Sequence, residues 1–248
     1  MLRWKDVFGQ FFWKRGLGNL ASLVVSQDFI QNWNEALRDS RFRAQSFLTV
    51  VLCLSMVLFI SRYFEFIQER PGVYIHDPLL QRIPPQDVSI YTFAVLYASI
   101  FIFLFSAIDN PRLILQTLQS YIVLMLFRII TMYFLPLEPS REMIPLNDPF
   151  VENFIYRNKM VSKDLFFSGH VSTLFLFFLA SSNWKLKLYF LAATVMMAVL
   201  ILVQHVHYTI DVIAAPIFTL SSFYMVRQSY NPDERRVENR GATETKRD

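Results

Sequence analysis

His207 and Asp211 stand four residues apart in the run His205-Val206-His207-Tyr208-Thr209-Ile210-Asp211. If a helix begins near His207, both side chains lie on one face, and the carboxylate accepts a hydrogen bond from one imidazole nitrogen. That bond fixes the tautomer and leaves the other nitrogen as a nucleophile. About one membrane span earlier, Phe167-Ser168-Gly169-His170 opens another apolar run. There backbone N–H groups, the Ser168 hydroxyl and a helix N-terminus suit a phosphate oxygen. Two histidines, a carboxylate and an anion pocket together make a site for phosphoryl transfer. A Ser-Gly-His tripeptide also occurs by chance, and a membrane-embedded histidine is often a helix contact. The chain has only 4 His, however, and His170, His205 and His207 all fall at the ends of two neighbouring apolar runs, which favours the catalytic reading.

The elements that must bring these segments together are membrane spans. The 248 residues are 54% hydrophobic and 18% charged, with the apolar residues in long uncharged runs. The runs 44–61, 88–108, 113–137 (interrupted by Arg128) and 165–184 are each long enough to cross a bilayer. The run from 188 onward reaches 226, too long for one span, and splits at Gln204-His205-Val206-His207. The expectation is an all-α polytopic membrane protein of six transmembrane helices. Most of the 24 Lys and Arg then fall on the side holding both termini, which places the termini in the cytoplasm and both site segments on the extracytoplasmic (lumenal or periplasmic) side. The single cysteine, Cys53, forms no internal disulfide, and the first sustained apolar run starts too late for a cleavable signal peptide.

In chain order, residues 1–45 carry Trp4, Val7, Phe8, Phe11 and Phe12 at helical spacing, then Phe29, Ile30, Trp33, Ala36 and Leu37 after Ser26, a candidate N-cap. These read as two cytoplasmic amphipathic helices in the membrane interface, or alternatively as a packing surface or dimer contact. Residues 46–226 form the six-helix catalytic domain, and the polar tail 227–248 is expected to be disordered. Loop 62–87 holds Pro71, Gly72, Pro78 and Pro84-Pro85 and reads as irregular, with His76 as a solvated residue. Asp109-Asn110-Pro111-Arg112 is a tight turn. Arg128 lies inside the third span, where it meets a lipid phosphate or braces a site carboxylate, or else snorkels or makes a structural contact. Loop 138–164 is a lid or a head-group selector, or else a plain solvated connection. There are no repeats, heptads, glycine-rich nucleotide loops or Cys/His metal spacings. Neither nucleic acid nor a metal is expected, since residues two apart in a helix point in different directions.

Phe127-Arg128-Ile129-Ile130-Thr131-Met132-Tyr133 with Leu135-Pro136, then Phe167-Ser168-Gly169-His170, then His205 through Val212 resemble three successive motifs of the sphingomyelin synthase family. That family lies within the type 2 phosphatidic acid phosphatase superfamily of six-span membrane proteins. The resemblance covers roughly residues 127–215, with order, spacing and span position all agreeing. It implies that His170, His207 and Asp211 form the catalytic triad. The family pattern has an Asp where this chain has Val206, and the loop before Ser168 is shorter and lacks the cysteines of the animal enzymes. The superfamily's lipid phosphatases resemble each other in a Lys…Arg-Pro motif and in an Arg six residues before the second His, where this chain has Ile201. A phosphate monoester approaches two negative charges and calls for bidentate arginine clamping, whereas a diester carries one charge. The missing clamps favour a diester, although Arg157, Lys159 and Lys163 are cations that can partly replace them.

The expected activity is therefore transfer of a phospho-head group from a glycerophospholipid donor to ceramide or a diacylglycerol-like acceptor through a phosphohistidine. No cofactor is required, and a homo-oligomer is compatible with the reading. Ser168, Gly169, Arg128 and Tyr208 are the candidate substrate-binding residues. The alternative is a lipid phosphate phosphatase or phospholipase C-type hydrolase.

Overall fold

The computed structural model describes residues 27–146 and 162–230. Among them the chain is all-helical: α1 (Gln27–Arg38), α2 (Ser40–Glu69), a 3-10 turn at Leu80–Arg82, α3 (Ser89–Ala107), α4 (Pro111–Phe134), α5 (Gly169–Ala180), α6 (Trp184–Val203) and α7 (Thr209–Tyr230). Five of these, α2, α3, α4, α6 and α7, are long and apolar enough to cross a membrane. The expectation of six such spans needs correction at 165–184. There α5 has only 12 residues, about 18 Å at helical rise. It starts late because residues 162–168 are spent on the site, and it stops at the polar Ser181-Ser182-Asn183 turn.

The boundaries have local causes. Asp39, Asn110, Ser168 and Asn183 each accept a first-turn N–H at the start of α2, α4, α5 and α6. Pro111 occupies the first turn of α4, where its missing N–H costs nothing. α2 runs well past the expected end at residue 61, to Glu69, because Tyr63, Phe64 and Ile67 form a stripe at helical spacing that is buried against Met132. Arg70 then ends it, stacking its guanidinium 4.8 Å from the Tyr133 ring and donating to the Tyr133 carbonyl at 2.8 Å. α1 docks under the α3–α4 turn, where Trp33 Nε1 donates to the Ile108 carbonyl and Asn32 to that of Asp109. The expected helix around Trp4 to Arg15, the Ser26 cap and residues 231–248 of the tail lie outside the described residues, while α7 runs to Tyr230, past 226.

The short helix α5 is the centre of the bundle, touching α3, α4, α6 and α7. Its Val171, Leu174, Leu176 and Phe177 pack with Phe103, Phe190, Met197, Ile201 and Ala215 in one apolar core. Phe177 stacks on Phe103 with ring centroids 4.3 Å apart. Outward-facing residues such as Leu58, Phe101, Val195 and Ile217 are apolar and exposed, as lipid-facing positions in a membrane bundle are.

Candidate active site

Both histidine segments lie at one end of the bundle, and a backbone bond joins them: Ser168 N–H donates to the Asp211 carbonyl at 3.2 Å. Just before it, Phe167 is fully buried and stacks face to face on Phe218 of α7, with centroids 4.3 Å apart. These contacts fix the start of α5 against the first half of α7.

The helix expected to begin near His207 begins at Thr209, so His207 sits in the preceding turn. Its Nδ1 still lies 3.4 Å from Asp211 Oδ2. The same oxygen accepts the Tyr208 backbone N–H at 3.0 Å, as a third-position carboxylate does when it reaches back to cap its own helix. Asp211 is 0% exposed, and its Oδ1 has no hydrogen-bond partner. A buried carboxylate with one oxygen unfilled is strongly disposed to hold the ring N–H facing it. With Nδ1 committed to Asp211, Nε2 is the nitrogen left for chemistry.

His170 is the second residue of α5 and half-buried, its ring edge-on to Phe93 at 6.3 Å. Ser168 is fully buried, and its hydroxyl accepts the Val171 N–H. It thus shapes the helix N-terminus by capping it. Tyr208 is also buried, and its hydroxyl donates to the Glu138 carbonyl at 2.9 Å.

Arg128 reaches the start of α5. A β-carbon on Gly169 would fall 1.8 Å from Arg128 Nη1, so only glycine admits the guanidinium at that place. Arg128 is buried, forms an ion pair with Asp164, and keeps its Nε without a partner. Of the alternatives the sequence left open for Arg128, the contact present is a structural ion pair with Asp164, not one with the site carboxylate Asp211. One turn along α4, Thr131 Oγ1 donates to the Phe127 carbonyl at 2.8 Å and lies 3.2 Å from the Phe166 carbonyl. Arg128 and Thr131, three apart on one helical face, together hold residues 164–169.

The loops supply further positioning groups. Asp77 Oδ2 accepts the Thr209 N–H at 2.6 Å, and its Oδ1 accepts the Thr209 hydroxyl and the Leu79 and Leu80 N–H groups. Burial works to raise its pKa, but the hydrogen bonds from Thr209 and Leu80 hold it below the usual carboxylate range. Gln204, 0% exposed, donates to Ser89 Oγ at 2.7 Å and to the Pro145 carbonyl, and accepts the Val88 N–H. Lys163 is bound to Glu138 Oε1 at 2.8 Å and to the Arg70 carbonyl, and is spent on holding loops together. Arg157 and Lys159 lie outside the described residues. Asp164, Asp77 and Gln204 were not singled out as site-building residues from sequence, because their partners are 36, 132 and 115 positions away.

Residues 163–229 match the family model described as PAP2 superfamily C-terminal, and no curated protein matches the chain. The matched segment contains His170, His207 and Asp211 and excludes Arg128. It supports the type 2 phosphatidic acid phosphatase superfamily, whose members are phosphoesterases and phosphotransferases, and with the apolar helices it supports an integral membrane enzyme of that general kind.

Proposed function

We propose that this chain, similar over residues 163–229 to the PAP2 superfamily C-terminal family, is a membrane phosphotransferase. It moves a phospho-head group from a glycerophospholipid to ceramide or a similar lipid alcohol. The observation that carries the reading is the Asp211 carboxylate facing His207 Nδ1 at 3.4 Å, on a helix whose first turn is bonded back to Ser168.

In the first half-reaction His207 Nε2 attacks phosphorus. The bond from phosphorus to the diacylglycerol oxygen breaks, and His170 gives that oxygen its proton. The product is a phosphohistidine bearing the head-group alcohol. In the second, neutral His170 takes the proton of the acceptor hydroxyl, whose oxygen bonds to phosphorus as the nitrogen–phosphorus bond breaks. Asp211 stabilises the positive charge on His207 in both steps. Arg128 and the N-terminus of α5 accept the charge that builds on the phosphoryl oxygens. Lys163 is tied to Glu138 and Arg128 to Asp164, and Arg128 is the arginine at the start of α5 among the described residues. One arginine suits a singly charged diester better than a monoester. If the chain crosses six times, with α5 as the short crossing, most Lys and Arg lie at the opposite end of the bundle, which supports an extracytoplasmic site.

The test is incubation of the purified protein in mixed micelles with several phospholipids and a fluorescent ceramide, with free phosphate assayed in parallel. A more polar labelled product, absent in His207→Ala, is the expected result. Phosphate released from phosphatidate without labelled product would move the protein to the phosphatases.

A further inference from the structure

A polar cavity of about 420 Å³ opens at the same end of the bundle, lined among others by Tyr74, Asp77, Arg141, Glu142, His205 and Tyr208. Phosphoryl transfer as described above makes no use of it. His205 is 2% exposed and holds a left-handed backbone, with φ of 58°, so its ring is set by the fold. Its Nε2 lies 2.8 Å from the Ile83 carbonyl. A carbonyl only accepts, so Nε2 carries the proton, and Nδ1 of the neutral ring presents a lone pair. Nδ1 is buried without a partner, and Glu142 Oε2 stands 3.8 Å from it. With the ring in that neutral tautomer, these are two acceptors side by side with no donor between them. At donor–acceptor distances of about 2.9 Å a single N–H-bearing nitrogen reaches both.

The charge in the cavity has a sign. Asp77 and Glu142 contribute two carboxylates against Arg141, and Asp77 is held ionised by its hydrogen bonds. An anion is disfavoured there, and a cation with N–H donors is favoured. A quaternary ammonium fits poorly. It has no N–H, and the Tyr74 face that would receive it is covered by Arg141, whose guanidinium carbon is 5.4 Å from the ring centroid.

We propose that this cavity binds a protonated primary amine, presented as the head group of the phospholipid donor. The proposal rests on the transferase reading above. His205 and His207 are two residues apart, within about 7 Å along the backbone, which keeps phosphorus and amine on the scale of one head group.

The experiment uses the full chain with fluorescent ceramide and four donors: phosphatidylethanolamine and its N-methyl, N,N-dimethyl and N,N,N-trimethyl (choline) forms. Each methyl removes one N–H. Transfer is expected to fall by about tenfold or more between the first and last donors, the worth of a charge-assisted hydrogen bond. Glu142→Gln removes an exposed charge, and His205→Gln keeps a donor for the Ile83 carbonyl. Each should shrink the ethanolamine-to-choline ratio several-fold while the thermal midpoint holds. A choline donor equal to or better than ethanolamine, or a preference that survives both substitutions, overturns the proposal and leaves the transferase intact. If no donor yields labelled product, the transferase reading fails. Saturation-transfer NMR with free ethanolamine and free choline then decides the cavity. Ethanolamine signals lost in His205→Gln uphold it, and equal or absent signals overturn it.

Discussion

The guanidinium of Arg128 occupies the space in which any side chain at position 169 would begin: a β-carbon there would stand 1.8 Å from Nη1. The glycine of Ser-Gly-His is needed for that close approach, which places a buried cation at the first residue of the helix that carries His170.

Gly169→Ala is therefore expected to spare the fold and damage the site. The atom it strikes is the far end of a flexible side chain, which can move aside, but only by leaving the α5 N-terminus. Transfer should drop by roughly 10²-fold with little change in thermal midpoint. Activity near wild type would mean that Arg128 takes no part.

His207→Ala should abolish transfer, and Asp211→Asn should reduce it by roughly 10²- to 10⁴-fold, both measured with the labelled acceptor. Asp211→Asn should still express as a folded protein, since an amide oxygen can accept the Tyr208 N–H now held at 3.0 Å. Wild-type rates in His207→Ala would remove the phosphohistidine.

Asp164→Asn weakens the ion pair that holds Arg128. If Asp164 positions the arginine, the loss appears mainly in kcat, at about tenfold or more, and Arg128→Lys does not rescue it because an ammonium lacks the planar fork. A change confined to thermal midpoint would make the pair purely structural.

Acid should loosen the loops over the site before neutral or alkaline pH does. Hydrogen bonding by Lys163 lowers the Glu138 pKa, and hydrogen bonds from Thr209 and Leu80, outweighing burial, lower that of Asp77. A carboxylate depressed in the folded state contributes stability that is present above its unfolded value, about 4. That contribution is lost as pH falls through the folded value. Thermal midpoints measured from pH 7 downward should hold to about pH 4 and then fall, and Asp77→Asn should flatten part of that fall.

Gln204→Leu should cost about 2–4 kcal/mol, since it leaves the buried Ser89 hydroxyl, the Pro145 carbonyl and the Val88 N–H without their partner. A thermal shift of a few degrees checks it. An unchanged midpoint would mean that water replaces the amide.

Much of the membrane architecture was legible in the sequence because an uncharged run long enough to cross a bilayer has few other uses. The ends of α3 and α4 lie close to the edges of their runs for this reason. The same rule failed at 165–184, where the apolar residues Leu165, Phe166 and Phe167 pack as a non-helical segment before Ser168 caps α5. Hydropathy records what a residue avoids and not the backbone it adopts. The His207–Asp211 pairing was readable from spacing, although the turn that makes it differs from a continuous helix. Asp164, Asp77 and Gln204 were not readable as a set, because nothing local marks a side chain whose partner lies on another span. Lys163 shows the converse error: a cation near the site in sequence is already neutralised by Glu138 in space.

The brevity of α5 bears on how the substrate is found. A helix rising about 18 Å cannot match roughly 30 Å of hydrocarbon. Were its C-terminus level with the headgroups at the polar Ser181-Ser182-Asn183 turn, its N-terminus would stop inside the slab and His170 would sit at the bottom of a dent. A lipid reaches such a dent by drifting sideways, without climbing into water. The rate should then follow the mole fraction of donor in the bilayer, and diluting the vesicles at fixed composition should leave turnover per protein unchanged.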